Sequence, residues 1–304
     1  MKRLSSVLAL LLVAVVAHAQ LLWRISGKDL VEASYVFGTY HLAPSSFADS
    51  IPGLDQAFRA SKQVYGEVPL PDPSDVASMQ KMQQAMLLPP DQSLDKLLTP
   101  EQYKKLSGYI KKEMGADLSN PAIAGQLNKL SPAALETQFT MLTYMKMHGM
   151  INPNELLDGY FQKKGKAEGK PVGGLETMDF QIGVLYKSKP MPRQIVSLMC
   201  YIDNSAKMAE MAERLNKAYF SRNIDEVLRI TEEKLGNDCD ATPEEEDALI
   251  YNRNADWARK LPAIMVKGST LVAVGAAHLP GERGLLQLLR KAGYKVEPVD
   301  VPVK

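Results

Sequence analysis

Residues 270–299 read TLVAVGAAHLPGERGLLQLLRKAGYKVEPV, and this stretch decides the fold. Thr270 to Val274 has the apolar, β-branched character of a buried strand, Gly281 to Ala292 is a helix, and Tyr294 to Val299 is a second strand. A strand, a helix and a strand joined by short connections predict a β-α-β unit lying on a parallel pair. The same order occurs near the start of the chain. Val36 to His41 is strand-like, Ser50 to Ala60 places Ile51, Leu54, Ala57 and Phe58 on one helical side, and Gln63 to Glu67 returns to strand character. Leu22 to Ser26 and Ser34 to Phe37 add short β-prone runs about a Gly27-Lys28-Asp29 turn. The two units predict an α/β fold of mixed, partly α+β character, in which the chain ends meet in one central sheet.

The residues between them, about 74–260, read as a large helical insertion in one domain spanning 20–304. Met79, Met82, Met86 and Leu87 form one stripe, which we read as core filling. Pro100-Glu101 opens a helix, Pro being favourable in a first turn. Ser131-Pro132 opens another, which runs to His148, and Asn152-Pro153 a third. Later helices are expected over Arg193 to Arg222, Ile224 to Leu235 and Pro243 to Lys260, with one strand, Lys170 to Leu175, among them. Cys200 and Cys239 are the only cysteines. In an oxidising compartment they form one disulfide; two buried free thiols are the alternative.

Residues 1–19 read as a signal peptide. Lys2 and Arg3 give a basic start, Val7 to Val16 a short apolar run, and Ala17-His18-Ala19 a cleavage site. The apolar run is too short to cross a bilayer comfortably, since that takes roughly 20 residues. The expected location is the periplasm or the outside of a bacterial cell, with no stable membrane insertion after cleavage. Without the leader, 34 basic residues face 35 acidic ones. That balance leaves no basic field large enough to hold nucleic acid.

Histidine is scarce beyond the leader: His41, His148 and His278. His41 ends Gly38-Thr39-Tyr40-His41 after one strand, and His278 ends Gly275-Ala276-Ala277-His278 after another. With Gly at about 7% of residues, two such matches among three histidines arise by chance roughly 1% of the time. Both fall at the C-terminal end of a strand, where α/β sheets place ligands, and a glycine there lets the backbone turn tightly or approach closely. A single strand-end histidine would read as structural; the matched pair points to a shared site. His148 sits at a helix C-terminus, where an imidazole complements the helix dipole, and is given no role.

Glu67 and Glu176 each follow an apolar strand, in Tyr65-Gly66-Glu67 and Gly173-Gly174-Leu175-Glu176. Two His and a Glu make a divalent-metal shell with open positions, so His41, Glu67 and His278 are the candidate ligands. Either Glu67 or Glu176 is then the general base on a bound water. Arg253-Asn254 supplies candidates for steadying an oxyanion, although the bare sequence equally allows Arg253 a surface pair with Asp247 or Asp256.

These residues resemble a known family. Leu22-Trp23-Arg24-Ile25, the Phe37-to-His41 turn and Gly66-Glu67 look like the opening of the TraB/GumN family. Asp158, Gly174-Leu175-Glu176-Thr177 and Gln181 resemble its middle. Arg253-Asn254 with Trp257, and Val274 through Gly281 with Gly284 and Leu285, resemble its end. Tyr40 departs from the Ile or Val commoner before the first His. The family is similar to TIKI proteins, which look like metal-dependent proteases, and distantly to erythromycin-esterase-like and ChaN haem-binding proteins. The resemblance implies a site at His41, Glu67, Glu176, Arg253, Asn254 and His278.

The leading expectation is an exported metal-dependent hydrolase, peptidase-like, using Mn²⁺, Co²⁺ or Zn²⁺ on a peptide or small-molecule substrate. The alternatives are a non-catalytic binding protein for a peptide or haem, with Tyr40 or His41 as iron ligand, and an interaction module on a degenerate fold. Mass spectrometry of the exported protein is expected to find Gln20, open or cyclised, at its N-terminus; an intact Met1 in the envelope fraction would reject cleavage.

Overall fold

Six strands form one mixed sheet: β1 (Leu22–Ser26), β2 (Ser34–Thr39), β3 (Gln63–Gly66), β4 (Val172–Gly174), β5 (Thr270–Gly275) and β6 (Lys295–Pro298). This computed structural model describes residues 20–70, 76–150, 152 and 155–299; counts and absences below refer to these residues. The expected leader, the Ser74 start of the insertion and Pro153 lie outside them.

The strand order is β4-β3-β5-β2-β1-β6. β4, β3, β5 and β2 are mutually parallel, while β1 is antiparallel to both β2 and β6. The α/β sheet built from both chain ends is therefore present, with one correction. β5 and β6 run in the same direction but are not paired, because β2 and β1 lie between them; β2 and β3 are likewise parted by β5. The cause is burial. Every residue from Thr270 to Val274 is buried, and such a strand belongs where neighbours cover both its edges. β5 inserts between the two strands of the N-terminal unit, which sets Thr39 opposite Gly275 and Gly66 opposite Ala273.

The helices are α1 (Leu54–Ala60), α2 (Val76–Ala85), α3 (Leu94–Leu97), α4 (Pro100–Met114), α5 (Pro121–Leu127), α6 (Pro132–His148), α7 (Leu157–Ala167), α8 (Met178–Lys187), α9 (Met191–Asp203), α10 (Ser205–Phe220), α11 (Ile224–Thr231), α12 (Pro243–Glu246), α13 (Asn252–Met265) and α14 (Leu285–Lys291). Thr99 and Gln102 close a capping box ahead of Pro100, and Ser131 caps α6 ahead of Pro132, as N-terminal chemistry demands.

Two expected helices are broken. The Arg193-to-Arg222 run splits at Asn204, whose side chain donates to the Cys200 carbonyl and whose backbone leaves the helical region. The Pro243-to-Lys260 run contains a π-helical turn, Asp247–Tyr251, directly before α13. Such turns accommodate an extra residue and recur at functional sites.

Two main apolar clusters result. One surrounds the sheet with Trp23, Phe37, Phe58, Phe161 and Trp257. The other is wholly helical, built on Leu94, Leu106, Ile110, Leu135, Phe139 and Leu198. The methionine stripe is not core. α2 buries no residue, Met79 is 46% exposed, and Met199 and Met265 are the buried methionines among the described residues. α2 lies over α8, to which the Lys81–Asp179 ion pair ties it.

Cys200 and Cys239 are bonded, tying α9 to the segment that leads into α12, and 39 residues separate them in sequence. A crosslink over such a loop stabilises by about 4 kcal/mol on the chain-entropy model. Urea unfolding of a Cys200→Ser/Cys239→Ser protein is expected to show a loss approaching that value. A loss under about 1 kcal/mol would mean that the loop is held elsewhere, with Arg193 bonded to Asp238 O, Asp240 O and Glu245 as the anchor.

Candidate active site

The two Gly-x-x-His motifs touch because their strands are neighbours. A Cβ on Gly38 would come within 2.9 Å of Leu279 Cδ1 and 3.2 Å of Ala276, so the first motif packs its glycine against the second. Gly275 lies under Glu67: its N–H donates to Glu67 Oε1 at 2.8 Å, and an added Cβ would meet that oxygen at 3.3 Å. Motif spacing in the sequence thus reflects two close backbone approaches at one sheet edge.

The site has two parts. The first is open. A cleft of about 200 Å³ is lined by Thr39, His41, Gly66, Glu67, Leu70, Asp158, Gln162 and Gln181, among others. His41 Nδ1 is bonded to Asp158 Oδ2, leaving Nε2 without a protein partner. Asp158 sits in the first turn of α7, where the helix dipole favours a negative charge. Asp158 raises the His41 imidazole to about 9. Burial alone would raise the Asp158 carboxyl, but the His41 charge outweighs it and holds it low. Asp158 Oδ1 is buried with no hydrogen-bond partner. Sequence reading gave Asp158 no role; its position eight residues before Lys166 in a polar helix carries no catalytic signal of its own.

The second part is closed and centred on Arg253, which is 4% exposed. Arg253 Nε donates to Glu176 Oε2 at 3.1 Å, and Nη2 donates to Glu176 Oε1 at 2.8 Å and Glu67 Oε2 at 2.6 Å. Nη1 donates to the Leu249 carbonyl at 2.9 Å and faces His278 Nε2 at 3.1 Å. All five N–H groups of a guanidinium are thereby used. The ring of Trp257 lies beneath it at 4.8 Å, and the indole N–H donates to Glu176 Oε2. Burial alone would raise Glu67; the Arg253 charge and the Gly275 N–H hold its carboxyl below the usual range.

The tautomer of His278 follows from its neighbours. Asn254 Nδ2 donates to the Arg283 carbonyl at 2.9 Å, so Asn254 Oδ1 faces His278 Nδ1 at 2.7 Å and must accept its proton. Nε2 therefore carries a lone pair, which receives Arg253 Nη1. Burial pushes the His278 imidazole down to about 3, so the ring is neutral.

The expected site residues gather at one sheet edge. Glu176, a candidate general base, is buried with both oxygens committed to Arg253, Trp257 and Gln181; it anchors the guanidinium and does not line the cleft. Arg253, a candidate for the oxyanion, has no N–H to spare, and Asn254, the other, is fully buried with its amide set between Arg283 O and His278. Arg253 makes no pair with Asp247 or Asp256, which bond Arg283, Arg259 and Lys260. Tyr40, named as a candidate iron ligand, packs its ring against Tyr144 and Tyr219. His148 pairs with Glu213, stacks on Tyr144 and does not line the cleft. Gln181, named in the sequence without a role, donates to Glu67 Oε2 at 3.1 Å and lines the cleft.

The ion shell of His41, Glu67 and His278 is not closed here. No group of three or more His, Cys, Asp or Glu is arranged to hold a metal ion among the described residues. The reason is local: the single lone pair of His278 Nε2 and one oxygen of Glu67 already receive Arg253. As arranged, the residues do not fit a divalent ion.

Removing one partner of a buried ion pair costs about 3–5 kcal/mol. Glu176→Ala is expected to lose that much in chemical denaturation, since it strips Arg253 of its two-point partner. A loss below about 1 kcal/mol would show that Glu67 alone suffices to hold the guanidinium.

Comparison with known proteins adds an independent finding. The sequence model of the TraB/PrgY/gumN family matches residues 21–298. The chain is 26% identical to Metalloprotease TIKI2 of Danio rerio, over 91% of this chain and 60% of that protein. It is 25% identical to Metalloprotease TIKI1 of Danio rerio, over 87% and 60%, and 25% identical to Metalloprotease TIKI1 of Homo sapiens, over 87% and 59%. The chain spans about 60% of the length of these curated relatives. No solved structure matches it.

Proposed function

The chain belongs to the TraB/PrgY/gumN family, and we propose that it is an exported hydrolase of peptide bonds whose activity depends on a divalent ion. One observation carries the proposal: His41, backed by Asp158, and Glu67, held ionised by Arg253, line one cleft at the C-terminal ends of parallel strands. Metal dependence comes from the likeness to proteins named metalloproteases, with Mn²⁺, Co²⁺ and Zn²⁺ as the candidates. Export is supported by the Cys200–Cys239 disulfide, which suits an oxidising compartment. No helix among the described residues is long and apolar enough to cross a membrane.

The residues suit the handling of protons at a scissile amide. His41 is charged at rest and presents Nε2 to the cleft, where it can give a proton to a leaving amine. Asp158 fixes the ring and balances its charge. Glu67 offers a carboxylate edge that accepts a hydrogen bond from an attacking water, with Gln181 and Gly275 fixing its rotamer. The cleft is smaller than the roughly 300–1,000 Å³ of a drug-sized pocket. It suits one side chain or one peptide group of a longer substrate better than a haem.

Hydrolysis of a quenched-fluorescent peptide library is the direct test. With added Mn²⁺, Co²⁺ or Zn²⁺ the mature chain is expected to cleave, and His41→Ala and Glu67→Gln are expected to lose at least about 100-fold, the usual contribution of a proton-transfer group. Cleavage that survives chelation would remove the metal dependence. A peptide bound stoichiometrically and never cleaved would establish the binding protein instead.

A further inference from the structure

The sheet ends in β6 on one side and in β4 on the other, and the two edges are finished differently. In the antiparallel pair of β6 with β1, the Val299 N–H donates to Leu22 O and Val296 stands opposite Ile25. That register turns the backbone groups of Val296 and Pro298 outward. Pro298 has no N–H to offer, and the Val296 carbonyl accepts from Arg290 Nη2 at 3.2 Å. A proline and a covering cation are devices that keep an edge from pairing.

β4 has neither. The Val64 N–H donates to Pro171 O and the Leu175 N–H to Gly66 O. Gly173 therefore faces β3, and the N–H and C=O of Val172 and Gly174 point away from the sheet. These outward groups have no hydrogen-bond partner among the described residues. Side chains guard them poorly: Val172 is 36% exposed, and two glycines follow it. Packing accounts for the glycines, since a Cβ on Gly173 would come within 2.6 Å of the Tyr65 ring and one on Gly174 within 2.3 Å of Pro69 Cδ. The bare edge also leads into the cleft. Pro69, which packs over Gly174, Gln162, which donates to Gly173 O at 2.7 Å, and Gly66, opposite Gly174, all line it.

We propose that an extended segment of the polypeptide substrate pairs with β4 as a further strand and so delivers its scissile bond to the cleft. This rests on the peptide-hydrolase reading above and deepens it. A row of unpaired N–H and C=O groups is complementary to another extended backbone. The cleft, of about 200 Å³, holds one residue or peptide group, so the flanking residues need a surface beside it, and β4 adjoins it. Recognition through the main chain selects conformation ahead of sequence. The substrate class is therefore an unfolded or loosely held segment, able to lie extended over a few residues.

The test takes the best-cleaved peptide of the quenched-fluorescent library and remakes it with one backbone amide N-methylated at a time. Amides of an added strand face β4 at every second residue. With the natural protein, methylation is expected to raise KM about tenfold at alternate positions on one side of the scissile bond, the effect of one lost hydrogen bond. The positions between are expected to tolerate it, with kcat little changed. Val172→Pro removes an outward N–H and leaves the bonds of Gly173 to β3 in place. It is expected to raise KM for the parent peptide about tenfold and to erase the alternation. If Val172→Pro misfolds, amide exchange in the natural protein replaces it: a peptide analogue reduced at the scissile bond is expected to slow exchange at Val172 and Gly174. Methylation without alternation, an alternation unchanged in the folded variant, or unslowed exchange overturns the inference and leaves the hydrolase reading standing. A concentration-dependent dimer that Val172→Pro abolishes at constant KM also overturns it, because the edge then belongs to a second copy of the chain. If peptides bind without being cleaved, the same scan read as Kd decides the edge, and the hydrolase reading alone fails. No peptide bound or cleaved overturns both.

Discussion

The structure turns on one buried positive charge with every donor in use. A guanidinium taken out of water is tolerated only where its five N–H groups and its charge are all answered, and Arg253 meets that condition with Glu67, Glu176, Leu249 O and His278. These partners come from β3, β4, the turn before α13 and the end of β5. The sheet order follows from the same requirement. β3 must lie between β4 and β5 for its carboxylate to face both the arginine and the Gly275 N–H. Separating those strands would leave charges buried and unpaired.

This constraint also divides the site chemically. His41 stands at the open cleft with its Nε2–H uncommitted and Asp158 behind it, while Glu67 and His278 are held by Arg253. Glu67 belongs to both halves, since it lines the cleft and receives the guanidinium. It is therefore the group through which any change at Arg253 reaches a substrate. The neutral His278 and the ionised Glu67, 3.8 Å apart, are kept in unlike states by burial on one side and by a fixed cation on the other.

How much of this is legible in the sequence depends on the range of the interaction. The strand-helix-strand units are written in local apolar pattern, and so are the helix starts at Pro100 and Pro132, whose caps act within a single turn. The gathering of His41, Glu67 and His278 at one edge also follows, because each ends a parallel strand. What local pattern cannot carry is strand order: nothing in residues 270–275 says that β5 enters between β2 and β3 rather than beside β6. The roles at the site fail to show for the same reason. Glu176 looks like Glu67 in sequence, one apolar strand before each. Only the positions of Arg253 and Trp257, about 80 residues away, turn one into an anchor and leave the other facing the cleft. Asp158 is one acid among 35 until α7 brings it against His41.

The methionines show the opposite error, in which a local pattern is real but its surface is missing. Met79, Met82 and Met86 have helical spacing, yet α2 buries nothing, because the second cluster closes on leucine and aromatic side chains without it. A helical insertion with its own core need not press every stripe inward. That independence lets the insertion sit between β3 and β5 without distorting the sheet edge. It also leaves α8, which supplies Gln181 to Glu67, carrying Phe180 at 49% exposure beside the α2 contact. α8, the element that steadies this carboxylate, packs against α2, α6 and the π-helical turn before α13. The position of Glu67 is fixed from the sheet side, by Gly275 and Arg253, with Gln181 the weaker restraint at 3.1 Å.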